Sequence, residues 1–149
     1  MRNEAMTRLE GLVGEWTMTL TNAWFLDRMD IEVPGKATIS WLGDAFLELR
    51  GSVGTDQGTW QWVIGRSDAN DQYVLLYQDD RAVLRVFDMT FDAGEWVLLR
   101  ADPDFHQRFI ATVGPDRIDG RWEASEDGGA TWRKDFDLIF ARLGAGGRA

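Results

Sequence analysis

The 149-residue sequence contains no cysteine. Disulfides, thiolate metal sites and a cysteine nucleophile are excluded together. It has a single histidine, His106, so a Ser–His–Asp arrangement would rest on one residue, and no nucleophile-elbow motif accompanies it. A metal site without cysteine and with one imidazole would need converging carboxylates, and no such spacing is present. No apolar run approaches the roughly 18 residues needed to span a bilayer. Residues 1–12 are charged and lack the apolar stretch of a secretory signal. Basic residues are in the minority: 16 Lys and Arg against 25 Asp and Glu give a net charge of −9, with no basic patch for nucleic acid. From these absences we expect a soluble, cytoplasmic protein with neither a membrane nor a nucleic-acid partner; assembly into a homodimer is left open.

What is present is a globular balance, 44% hydrophobic and 28% charged, in a length that suits one domain. Eight Trp and eight Phe are many for this length, and such rings fill a barrel interior or line a pocket. Only three prolines occur, glycine is dispersed in turn-like clusters, and there is no linker or internal repeat. Residues 1–143 read as one domain and 144–149 as a flexible tail.

Residues 6–13 predict a short helix capped by Thr7, with Glu10 at capping-box spacing and Met6, Leu9, Leu12 and Val13 on one face. From Glu15 onward the period becomes two. Strands are predicted over 15–21, 36–42, 45–51, 59–65, 73–78, 83–89, 95–100, 105–112, 117–124 and 131–143, divided by turn residues such as Gly43-Asp44, Asp79-Asp80 and Gly114-Pro115-Asp116. About ten short strands with tight connections make the fold class all-β, a single antiparallel up-and-down barrel. Residues 24–31 fit neither period; with Trp24, Phe25, Leu26 and Met29 they read as a lid over the barrel mouth or as a loop packed outside.

Two motifs have structural readings. Gly14-Glu15-Trp16 opens the first strand and Arg142 ends the last, so barrel closure would set the guanidinium on the indole face. Ser125-Glu126-Asp127-Gly128-Gly129-Ala130-Thr131-Trp132 fits the Asp-box hairpin pattern Ser-x-Asp-x-Gly-x-Thr-Trp. In that turn the Asp caps amides and Gly takes positive φ. Sialidases carry this box as well, but as a folding element, and it does not imply glycosidase chemistry.

The Gly-x-Trp and late Arg resemble the structural pair of the calycins. The segments Trp41-Leu42-Gly43-Asp44-Ala45-Phe46-Leu47, Val83-Leu84-Arg85-Val86-Phe87-Asp88-Met89, Asp104-Phe105-His106-Gln107-Arg108-Phe109 and Gly120-Arg121-Trp122-Glu123-Ala124-Ser125 are similar to an uncharacterised bacterial domain-of-unknown-function family with a calycin-like barrel, of lipocalin, fatty-acid-binding-protein or nitrobindin type. The resemblance spans about Leu9 to Arg142 and implies the fold far more than an activity.

A barrel of this kind is expected to bind a small hydrophobic or amphipathic ligand. Trp41, Trp62, Tyr77, Phe87, Met89, Phe109 and Trp122 are the expected lining. Arg85 shares a face with Phe87 and Met89, and a cation there needs a partner, either a ligand carboxylate or an internal Asp or Glu. Gln107 joins it as a polar ligand-binding candidate. The alternative is an enzyme of isomerase or cyclase type using the barrel as a reaction chamber, with Tyr77, Arg85 and Gln107 as its hydrogen-bonding groups. No cofactor is expected. A nitrobindin-like reading would make His106 a haem ligand, but alternation sets His106 and Arg108 on the face opposite Phe105, Gln107 and Phe109. An interior packed solid would instead make the chain a structural module.

Overall fold

A computed structural model describes residues 2–54, 58–69 and 71–144. Most of the expected tail, 145–149, lies outside these residues. Ten strands run in chain order: β1 Gly14–Thr21, β2 Val33–Leu42, β3 Phe46–Val53, β4 Thr59–Arg66, β5 Tyr73–Asp79, β6 Leu84–Asp92, β7 Glu95–Ala101, β8 His106–Val113, β9 Arg117–Ser125 and β10 Arg133–Arg142. Each pairs antiparallel with the next, and β1 pairs with β10, closing the barrel. Closure satisfies every strand edge, which an open sheet of this length would leave exposed. Among the described residues no helix is long and apolar enough to cross a membrane.

Alternation drives the closure. Along β9, Ile118, Gly120, Trp122 and Ala124 are buried while Arg117, Asp119 and Arg121 are exposed, the signature of a sheet wet on one face. One buried cluster runs through the interior, from Met6, Leu9 and Leu12 to Trp62, Phe87, Phe109 and Trp122. Its centre is a set of rings at right-angled contacts: Trp62 lies 5.9 Å from Trp96, 6.2 Å from Phe109 and 6.3 Å from Trp122. The indole nitrogens of Trp62 and Trp96 are buried without an acceptor. Edge-to-face packing directs ring edges at π faces, which partly compensates an N–H so placed.

Residues 6–13 differ from the single helix predicted. They fall in a four-residue helix, α1 (Glu4–Thr7), and a separate 3₁₀ turn at Glu10–Leu12. Asn3 rather than Thr7 is the cap, its side chain accepting from the Met6 amide at 2.8 Å. The α-helix stops where the Tyr73 hydroxyl takes the Ala5 carbonyl and the Leu9 amide bonds the Met6 carbonyl instead; past it, side chains cap the exposed carbonyls. Arg142 donates to Gly11 and Val13 oxygens at 2.7 and 2.8 Å, and the Trp16 indole donates to Leu12 at 3.0 Å. The apolar face holds nonetheless: Met6, Leu9 and Leu12 are buried. Tyr73 ties this segment down by donating its hydroxyl to the Ala5 carbonyl at 2.5 Å. One end of the barrel is thereby plugged.

The closure pair is formed as expected. Trp16 and Arg142 are ladder partners, with the guanidinium 4.3 Å from the ring centroid. Gly14, at φ 149°, leaves space that a Cβ would take from the Arg142 guanidinium. The Asp-box also folds as its pattern requires. The Asp127 carboxylate accepts from the Thr131 amide at 2.8 Å and from the Ser125 hydroxyl at 2.7 Å, and Gly128 and Gly129 sit at φ 73° and 91°. The hydroxyl and amide of Thr131, then Ser125, hold the Asp127 carboxyl down at about 2. Trp132 receives Arg108 on its face at 3.9 Å.

Candidate functional site

Five connections gather at the end opposite the plug: β1–β2, β3–β4, β5–β6, β7–β8 and β9–β10. Below them the barrel is hollow, with a volume of about 260 Å³. The wall is built mostly of inward positions nearest this mouth. Trp60 and Trp62 come from β4, Tyr77 from β5, Arg85 and Phe87 from β6, Gln107 from β8 and Trp122 from β9. Leu20, Val53, Phe136 and Leu138 complete the apolar side, and Arg81 reaches in from the β5–β6 turn. The ladders set these residues side by side: Trp62 opposes Tyr77, and Tyr77 opposes Arg85.

Six of the expected residues therefore line one space: Trp62, Tyr77, Arg85, Phe87, Gln107 and Trp122. Three do not. Met89 and Phe109 lie one inward step further from the mouth and are buried in the packed core. Phe109, at 5.1 Å from Trp122, supports the wall rather than forming it. Trp41 sits near the plugged end, its ring covered by Arg2 at 3.6 Å. His106 lies on the outer side with Arg108, its ring beside the Gly129 turn, and lines neither the hollow nor its mouth.

The sequence reading missed Leu20, Val53, Trp60, Arg81, Phe136 and Leu138. Trp60 carried a usable signal, since it alternates in phase with Trp62. Its ring fits because Gly51 opposes it: a Cβ there would meet the indole at 2.9 Å. Phe136 follows a register shift between Lys134 and Phe136, so alternation counted along β10 fails at that point.

The polar groups fall into two sets. In the first, the Tyr77 hydroxyl donates to Asp79 at 2.6 Å and Arg81 donates to the same carboxylate oxygen at 2.6 Å. The Asp79 carboxylate also accepts the Arg81 and Val83 amides. Burial opposes ionisation of Asp79, but hydrogen bonds from Arg81, Tyr77 and those amides together outweigh it and hold its carboxyl well below the ordinary range. Burial, then the bond to Asp79, pushes the Tyr77 phenol up to about 12. At neutral pH Tyr77 is a fixed donor and a poor proton-transfer group.

The second set is Arg85 and Gln107. Arg85 donates to the Gln107 side-chain oxygen at 3.2 Å and lies over the Phe105 ring at 5.3 Å. It forms no ion pair with any described residue. Both residues also border an outer pocket of about 330 Å³ at the mouth, walled by Trp24, Phe25, Phe105, Arg133 and Asp135. The 24–31 segment is thus partly a mouth element. Phe25 packs edge-on against Phe136 at 5.8 Å, and the Trp24 indole donates to Asp135 at 3.0 Å. Trp24, Phe25 and Met29 nevertheless remain exposed.

No protein-family model and no curated protein sequence matches this chain. The fold is similar to the crystal structure of Rv2717c from M. tuberculosis, with a TM-score of 0.67 and 10% identity, covering 96% of this chain and 99% of that one. A likeness at that identity concerns the fold alone.

Proposed function

We propose that this chain is a calycin-like binding barrel whose hollow takes a small hydrophobic or amphipathic molecule. The observation that carries the reading is the wall itself. Five aromatic residues of β4, β5, β6 and β9 surround a space that the core leaves unfilled, while the opposite end is plugged. Protein interiors are otherwise close-packed, and an apolar hollow with a few polar groups is the usual form of a ligand site. The size lies just below the range of drug-sized pockets, about 300–1,000 Å³, which favours a compact occupant.

The test uses the tryptophans as reporters, because Trp60, Trp62 and Trp122 all line the space. A panel of fatty acids, aromatic compounds and tetrapyrroles is titrated while emission and melting temperature are followed. At least one class should quench or shift emission and raise the melting temperature. Leu138→Trp, which fills the hollow from β10, should abolish that response in a protein that still melts cooperatively. If no class changes either signal, the binding proposal fails.

A further inference from the structure

Resting on the binding reading above, we propose that the natural occupant is a compact monocarboxylate. Its anionic group sits on Arg85 and Gln107, and an apolar body of about eight to ten heavy atoms fills the inner hollow.

The sign of the charge comes from a comparison of neighbouring arginines. Around the mouth, Arg81 is paired with Asp79 at 2.6 Å, Arg100 with Asp104 at 2.9 Å and Arg133 with Asp135 at 3.3 Å. Arg85 stands among them, half-buried, and meets only a neutral amide oxygen and a ring among the described residues. Nor is Asp79, the carboxylate that lines up along the adjoining strand, available to it. Both its oxygens are occupied by Arg81, Tyr77 and backbone amides. A guanidinium has five N–H donors, so most of those on Arg85 have no acceptor among the described residues. A partly desolvated cation left this way is costly unless something supplies the counter-charge. A carboxylate matches a guanidinium in planar, two-pronged fashion. The Gln107 amide nitrogen, which bonds no described residue, adds a donor beside it.

Position and size follow from the two cavities. Arg85 and Gln107 border both the inner hollow and the mouth pocket. An anion held there keeps its outer side toward the mouth and directs its apolar part inward, against Trp62, Phe87 and Trp122. The inner volume of about 260 Å³, at roughly 30 Å³ for each water-sized group, holds about nine such groups. Octanoate, decanoate and a naphthoate fit that volume. A sixteen-carbon chain exceeds it and would have to run back out past Arg85.

The experiment compares octanoate, decanoate, palmitate, 1-naphthoate and octyl phosphate with 1-octanol and naphthalene, by calorimetry and tryptophan emission on the full chain. Octanoate should bind about ten- to a hundredfold more tightly than 1-octanol, the span of one charge-assisted contact. Affinity should level off near ten carbons, and octyl phosphate should not exceed octanoate. Arg85→Gln, which removes the charge, should bring the affinity for octanoate down to that of 1-octanol measured on the same variant. The wild-type comparison needs no variant, so a poorly folded Arg85→Gln does not blunt the test. Equal affinity for acid and alcohol, or affinity still climbing at palmitate, overturns the inference while the binding reading survives. Silence from every compound, neutral ones included, removes the binding reading itself.

Discussion

Gly120 offers a sharp test of how the aromatic core is assembled. It is buried in β9, where an added Cβ would come 2.5 Å from Phe109 Cε1 and 2.6 Å from its Cζ, and 3.1 Å from the Leu138 carbonyl oxygen. Phe109 cannot swing aside. It is fully buried, with Trp96 at 5.4 Å, Trp122 at 5.1 Å and Trp62 at 6.2 Å. Forcing a methyl into such packing costs about 1–3 kcal/mol, and the rigidity of this site argues for the upper end. Removing a glycine from the unfolded chain returns about 0.4–1 kcal/mol. Gly120→Ala should therefore destabilise by about 2 kcal/mol net, which for a chain of this length lowers the melting temperature by roughly 4–8 °C. Thermal melts followed by circular dichroism read this directly. Gly11→Ala is the control: nothing lies within 4 Å of its added Cβ, so it should be neutral or slightly stabilising. In a Phe109→Leu background the Gly120→Ala penalty should shrink by more than half, since the clashing ring atoms are gone. An undiminished melting temperature for Gly120→Ala, or the same penalty in both backgrounds, would refute the packing argument.

Arg142, on the last strand, binds the Pro115 carbonyl of the β8–β9 turn and the Gly11 and Val13 carbonyls of the plug at 2.7–2.8 Å, and meets the first strand through Trp16. Arg142→Ala should cost about 2–3 kcal/mol in urea unfolding, and Arg142→Lys should recover little, because an ammonium lacks the fork geometry. Tyr77 predicts an alkaline effect. A phenol raised from 10 to about 12 in the folded protein contributes stability that is whole below pH 10 and disappears as pH climbs through about 12. The phenolate absorbance of Tyr77, read as the difference between wild type and Tyr77→Phe, should be largely absent at pH 11, and Tyr77→Phe should flatten the fall in melting temperature between pH 10 and 12. A Tyr77 phenolate already formed near pH 10 would contradict the Asp79 bond.

Much of the fold was legible because period-two alternation is a strong signal wherever one face is buried. The parity that set Arg85 with Phe87 and Met89, and Gln107 with Phe109, placed both polar residues inside. What alternation cannot supply is depth along the barrel. Phe87 and Met89 look equivalent in sequence, yet one lines the hollow and the other is packed beneath it, because the plug fills that end. Trp41 fails for the same reason. Arg81 belongs to a turn, where no periodicity applies, and Phe136 follows a bulge that resets the count. The helix prediction erred because a long-range donor, the Tyr73 hydroxyl, takes the Ala5 carbonyl, and because Asn3 rather than Thr7 caps the segment.

The pairing of β1 with β10 has a further consequence for biosynthesis. Every other ladder joins strands adjacent in the chain and can zip as a local hairpin. The seam alone requires residue 142 to meet residue 16. While the polypeptide is still emerging from the ribosome, a curled sheet with two unsatisfied borders must persist until the final ten residues of strand are delivered. Truncation anywhere before Arg133 would leave that sheet permanently unsealed, prone to stack border to border with other copies.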